Sequence, residues 1–215
     1  MITEGPAMNL SPAFLRALLD AEHYHHEQIR KGTAIPYVSH VLGVCSIALE
    51  AGATETEAIA ALLHDAPEDA GGEPILKAIE ANFGPEVAKI VRECSDSLAA
   101  KGEKKAPYLE RKKAHIEHLK TAGASTMLVS ASDKLHNLRA ISSDYREIGD
   151  KIWDRFNAPA PKKEHILWYY GSLRDAYASD DSPRDPHRKR LVDALSDLLD
   201  QLGYTGDFEP SFVKP

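Results

Sequence analysis

The chain has 215 residues, 43% hydrophobic and 27% charged, which suits one large soluble domain with a real core. Its formal net charge of −7 excludes general nucleic-acid binding, which needs a basic surface to release counterions, but leaves room for a small anionic substrate in a local basic pocket. No apolar run reaches the length of a membrane span and no leader pattern opens the chain, so no membrane partner and a cytoplasmic location are expected.

Ser11-Pro12 reads as a helix start, with proline at the first helical position. Phe14, Leu15, Leu18 and Leu19 follow at helical spacing. His23, His25 and His26 lie too close in sequence to share one face, so at least one is expected in solvent. After a loop at 31–36, a second helix covers about 37–50 and stops at Ala51-Gly52-Ala53. Thr54-x-x-Glu57 is a capping box that opens a third helix ending at His64-Asp65. Pro67 disfavours helical geometry at Ala66, so Glu68 and Asp69 are expected to leave the helix axis and turn back.

Residues 75–83 and 85–98 read as a helix pair joined at Gly84-Pro85, with 98–107 as a surface loop. Further helices are expected at 108–121, 125–145, 148–156, 162–178 and 186–202, with a polar turn at 179–184 and an extended end from 204. His115, His118 and His187 sit among charged residues and read as surface positions. Cys45 and Cys94 lack CxxC spacing and read as reduced core thiols. The fold class is all-α, with one domain over 1–180 and a C-terminal helix and tail, 181–215, packed on it.

His64 and Asp65 close an apolar helix, where an unpaired carboxylate costs several kcal/mol on burial, roughly, unless a cation offsets it. His40 lies near the start of the second helix, and Asp133 sits among core-like positions of a long helix. Two imidazoles and two carboxylates from three helices match the way bundles build metal sites. Such a nitrogen and oxygen set suits Mn²⁺, Fe²⁺, Ni²⁺, Co²⁺ or Zn²⁺ without choosing among them.

The segments Gln28-Ile29-Arg30-Lys31, Pro36-Tyr37-Val38-Ser39-His40, His64-Asp65-Ala66-Pro67-Glu68-Asp69, Glu110-Arg111-Lys112 and Asp133-Lys134-Leu135-His136-Asn137-Leu138-Arg139 carry a resemblance. Together they resemble the HD-domain metal-dependent phosphohydrolases, and among them the alarmone hydrolase domain and its stand-alone small relatives. The resemblance implies an HD-type helical bundle and metal ligation by His40, His64, Asp65 and Asp133, most often of Mn²⁺. It implies that Glu68 and Asp69 position or deprotonate the attacking water, with Asn137 near the substrate. Arg30 and Lys31 are expected on the nucleotide, Arg111 and Arg139 on phosphate, and Tyr169 as a stacking ring.

The implied reaction is removal of the 3′-pyrophosphate from guanosine tetra- or pentaphosphate, giving GDP or GTP and pyrophosphate. The alternatives are a phosphatase on a nucleoside monophosphate or the NADPH 2′-phosphate, and a sensing module without turnover. The expected partner is a small phosphorylated nucleotide, and a homodimer is compatible with the pattern. Val41 after His40, Pro67, and a loop one residue short between Lys31 and His40 depart from the best-known small hydrolases. No segment matches the family's synthetase domain.

Overall fold

The computed structural model describes residues 9–95, 98, 106–178 and 186–211. Most of the expected loop at 98–107, the polar turn at 179–184 and the last four residues lie outside them. The first helices are α1 (Pro12–His25), α2 (Val38–Glu50), α3 (Glu55–Leu63), α4 (Ala66–Ala70), α5 (Glu73–Phe83) and α6 (Pro85–Cys94). They are followed by α7 (Tyr108–Leu119), α8 (Ala124–Ile148), a 3₁₀ turn at Gly149–Arg155, α9 (Lys162–Ala178) and α10 (Pro186–Gln201). Apart from one isolated bridge between Ile29 and Pro36, the described residues form no β structure.

Local chemistry sets the helix ends. Ser11 caps α1 by accepting from the Ala13 amide, with Pro12 at the first helical position. Thr54 and Glu57 form the full capping box of α3. Past α3, however, the chain does not turn back as a loop. Proline is welcome in the first turn of a new helix, where its missing N–H costs no bond, so Pro67 opens α4 instead.

The central element is α3, which packs against α1, α2, α6 and α8. It is buried from Ala58 to Leu63, and its alanines let neighbouring helices approach closely. The long α8 lies across α2, α3, α6 and α10. It presents Leu135, Leu138 and Ile141 to the core together with Asp133. The last helix, α10, rests on α8 and α9 through Leu191, Leu195 and Leu199. His115, expected at the surface, is instead buried on the inner face of α7, while His118 is exposed as expected. The side chain of His187 is outside the described residues.

Leu62 is fully buried in α3, so Leu62→Ala removes apolar contacts that the packed neighbours cannot replace. It is expected to lower unfolding free energy by about 2–5 kcal/mol. Leu19→Ala, at a site 70% exposed, should change it by less than about 0.5 kcal/mol. Urea denaturation of both variants checks the pair.

Candidate metal centre and adjoining cavity

His64 is the C-cap of α3 and Asp65 the N-cap of α4. Consecutive residues on one continuous helix point about 100° apart. The break between the two helices lets both reach one point. His64 Nε2 lies 3.1 Å from Asp65 Oδ2 and 3.6 Å from Asp133 Oδ1. His40 Nε2, from the first turn of α2, lies 3.3 Å and 3.2 Å from the same two oxygens. Two helices and one helix junction therefore bring the four expected ligands together.

The two imidazole Nε2 atoms are buried and make no hydrogen bond. Buried polar atoms are rarely left so. Donors bound about 2.1 Å from one ion lie roughly 3–3.5 Å from each other, which is the spacing found. The donor set thus fits a divalent cation, and His40, His64 and Asp65 already lie within 4.8 Å of one another.

Electrostatics agree. Burial alone would lower the His64 pKa, but Asp65 and Asp133 outweigh it and hold it well above the ordinary value. Burial would likewise raise both aspartates. The positive charge of His64 and the nearby ring nitrogens of His40 and His64 keep Asp65 well below the usual carboxylate range. Lys134, paired with Asp133 Oδ2, does the same for Asp133 ahead of the two histidines. The cluster demands positive charge, and a cation that supplies it leaves both imidazoles neutral and free to ligate.

Three of the four expected ligands are braced by an outer partner. His64 Nδ1 donates to the Ala61 carbonyl at 2.9 Å. Asp65 Oδ2 accepts from the Tyr37 hydroxyl at 2.6 Å. Burial, then Asp65 and Asp69, push the Tyr37 pKa well above its usual value, so the phenol remains a donor. Asp133 Oδ1 accepts from Asn137 Nδ2 at 2.6 Å, one helical turn along α8.

Glu68 and Asp69 stand on α4, next to the ligand pair. Asp69 is exposed as a residue, and Gln28 donates to its Oδ2 at 2.9 Å. Desolvation of its carboxyl and then the charge of Asp65 raise its pKa above its ordinary value. Gln28 in turn is fixed by the buried His25, whose Nδ1 lies 2.7 Å from Gln28 Oε1. His23 and His26 are exposed, so only His25 of that trio joins the site.

Beside the ligands lies a cavity of about 270 Å³. Arg30, Lys31, Tyr37, Asn137 and Tyr170 line it, with Ile35, Ile141, Ile152 and Phe156 as apolar wall and a paired Asp144 and Arg155. Because Tyr37 and Asn137 are bonded to Asp65 and Asp133, the cavity abuts the metal centre. Arg30 donates to Asn137 Oδ1 at 3.0 Å, and Lys31 reaches Asn157 Oδ1 at 3.4 Å. Gly32 turns this loop with a φ of +76°, and a Cβ there would meet Arg155 Cδ at 2.6 Å. The positive φ favours glycine there, and any side chain would also have to displace the Arg155 side chain.

Other expected residues lie elsewhere. Tyr169 is buried beside Tyr170, with Lys112 Nζ 4.4 Å over its ring, so it offers no open stacking face. Its neighbour Tyr170 lines the cavity instead. Arg139 is exposed and borders a different depression with Glu50 and Arg190. Arg111 donates to the Ala106 carbonyl near the start of α7 and is not among the cavity's lining residues. Residues that carried no expected role lie at the site or its cavity: His25, Gln28, Tyr37, Asp144 and Arg155.

The HD domain family model matches residues 17–158, a span that includes His40, His64, Asp65 and Asp133. Guanosine-3′,5′-bis(diphosphate) 3′-pyrophosphohydrolase MESH1 from Mus musculus is 38% identical over 188 residues, 86% of this chain and 92% of the mouse protein. The Homo sapiens MESH1 is 37% identical over the same shares. Among solved structures, one described as a metazoan ortholog of SpoT that hydrolyzes ppGpp superposes with a TM-score of 0.71 and 28% identity. That match covers 93% of this chain and all of the other. A Listeria monocytogenes EGD-e protein gives a TM-score of 0.62 at 26% identity, covering 75% of this chain and 99% of its own. With an HD domain model over residues 17–158 and MESH1 relatives matched over most of both chains, this chain belongs to the HD-domain family and, within it, to the group that holds the MESH1 proteins.

Proposed function

We propose that this chain is a metal-dependent hydrolase that removes the 3′-pyrophosphate of guanosine tetra- and pentaphosphate, giving GDP or GTP and pyrophosphate. The observation that carries the reading is the joining of three parts at one place. These are a buried His40, His64, Asp65 and Asp133 quartet, the carboxylates of α4, and a cavity edged by Arg30 and Lys31. The MESH1 relatives named for this activity, at 37–38% identity over most of both chains, support the same substrate.

His40, His64, Asp65 and Asp133 would hold the ion, for which Mn²⁺ is our choice. When bound, it supplies Lewis-acid polarisation of a phosphoryl oxygen and a lowered pKa for water. Water attacks the phosphorus joined to the ribose 3′-oxygen, and that P–O bond breaks. The water oxygen leaves in pyrophosphate, while the ribose oxygen takes up a proton. Asp69, steadied by Gln28 and raised in pKa, receives the water proton, and Glu68 orients the water from the same turn. Arg30 and Lys31 hold the nucleotide at the cavity mouth. Asp144, paired with Arg155, offers acceptor oxygens that suit the N–H edge of guanine. Residues 181–215 belong to the same domain in this reading, and the protein acts in the cytoplasm without a nucleic-acid or membrane partner.

Incubating the Mn²⁺-loaded protein with guanosine tetraphosphate, NADPH and nucleoside monophosphates is expected to release pyrophosphate from the tetraphosphate. Orthophosphate from NADPH or a monophosphate, with no pyrophosphate from the tetraphosphate under any divalent metal, would sink the reading. Asp69→Asn is expected to lower kcat by about 10²–10⁴-fold while the protein keeps its metal, read by elemental analysis beside steady-state kinetics. Arg30→Ala removes a charge-assisted nucleotide contact and the bond to Asn137. It should raise KM by about 10-fold or more, since bonds to charged groups are worth roughly 1.5–3 kcal/mol.

A further inference from the structure

His40 has a second ring nitrogen to place. It is fully buried, and its Nδ1 lies 2.9 Å from Nδ1 of His136 on α8. The ring centroids are 4.8 Å apart with planes tilted by 58°. Between two imidazole nitrogens only one proton fits. If the Nε2 of His40 gives its lone pair to a cation, its proton must sit on Nδ1, which makes Nδ1 of His136 the acceptor. His136 then carries its own proton on Nε2.

The fold is shaped for this pair. A Cβ at Gly43 would sit 2.3 Å from both Cδ2 and Nε2 of His136, far inside contact distance. Gly43 follows His40 by three residues on α2, so the same helix carries the ligand and the gap that seats its partner. On α8, His136 follows Asp133 by three residues, so one face supplies both a ligand and the brace for another. His64 has no such device and uses the ordinary acceptor, its own helix's Ala61 carbonyl.

We propose that His136 is a positioning residue that holds His40 in its metal-binding tautomer and orientation, with Gly43 as the spacer that admits it. This rests on the metal-site reading above. Outer partners of ligating histidines are worth about 10–100-fold in metal affinity.

The test uses metal-free full-length protein titrated with Co²⁺ and with Mn²⁺ against a chromogenic chelator, while the Co²⁺ absorption spectrum reports ligand geometry. His136→Leu is expected to weaken both metals by about 10–100-fold and to alter the Co²⁺ spectrum. His136→Gln, whose side-chain carbonyl can accept the same proton, should recover most of the affinity. Wild-type affinity and spectrum in His136→Leu would overturn the proposal. If His136→Leu does not fold, by circular dichroism of the metal-free protein, Gly43→Ala decides. It displaces the ring without removing it, so weakened binding supports the proposal and unchanged binding overturns it. Wild-type protein that binds neither metal would instead overturn the metal-site reading itself.

Discussion

Asp65 and Asp133 turn two carboxylates toward the same pair of buried imidazole nitrogens, at 3.1–3.6 Å. Like charges held close in a weakly polarisable interior repel strongly, and the repulsion must be met on every side. Lys134 answers one oxygen of Asp133, and the Tyr37 hydroxyl answers Asp65. The inward-facing demand is left for a cation. Much of the local architecture follows from that demand: α3 must stop at His64, α2 must begin just before His40, and α8 must carry a charged residue on a core face. A helix break that would otherwise weaken the bundle is what lets adjacent residues converge.

The loop from Gln28 to Tyr37 ties this centre to the cavity. Its ends are clamped by Arg30 N–H to Ile35 carbonyl and Tyr37 N–H to Gln28 carbonyl bonds, each 2.8 Å. From this small frame Gln28 reaches Asp69, Tyr37 reaches Asp65, and Arg30 reaches Asn137, which itself holds Asp133. One loop thus touches Asp69 and Asp65 directly, reaches Asp133 through Asn137, and lines the cavity.

The convergence of His40, His64, Asp65 and Asp133 could be read from the sequence because each is costly where it stands. An imidazole and a carboxylate ending an apolar helix, or an aspartate inside one, call for a partner whatever the fold. Helix starts were equally legible, since Ser11, Thr54 and Pro12 act on their own neighbours. Less local facts were not. Tyr169 and Tyr170 differ by one step of about 100° around a helix, and only packing against Lys112 and the cavity tells them apart. Arg139 follows Asn137 by two residues and for the same reason faces away. Gln28 and Tyr37 act across 41 and 28 residues of sequence, so their roles belong to tertiary structure. His115 reads as surface because charged residues flank it, although the inner face of an amphipathic helix passes through such company.

The division of labour between centre and cavity follows from what each can distinguish. A cation ligated by His40, His64, Asp65 and Asp133 responds to phosphoryl oxygens, which all phosphate esters share. Discrimination among nucleotides must come from groups that meet the base and sugar, and in the proposed reading those are the residues of the neighbouring cavity. Two of the sequence departures bear on this. Val41 is fully buried in α2, and Pro67 is buried in the first turn of α4. Both lie in packing behind the ligands, and neither lines the cavity. The shortened stretch between Lys31 and His40 is different, because it includes the loop that carries Thr33, Ile35 and Tyr37 into the cavity wall. Of the three departures, this is the one that falls among residues lining the cavity.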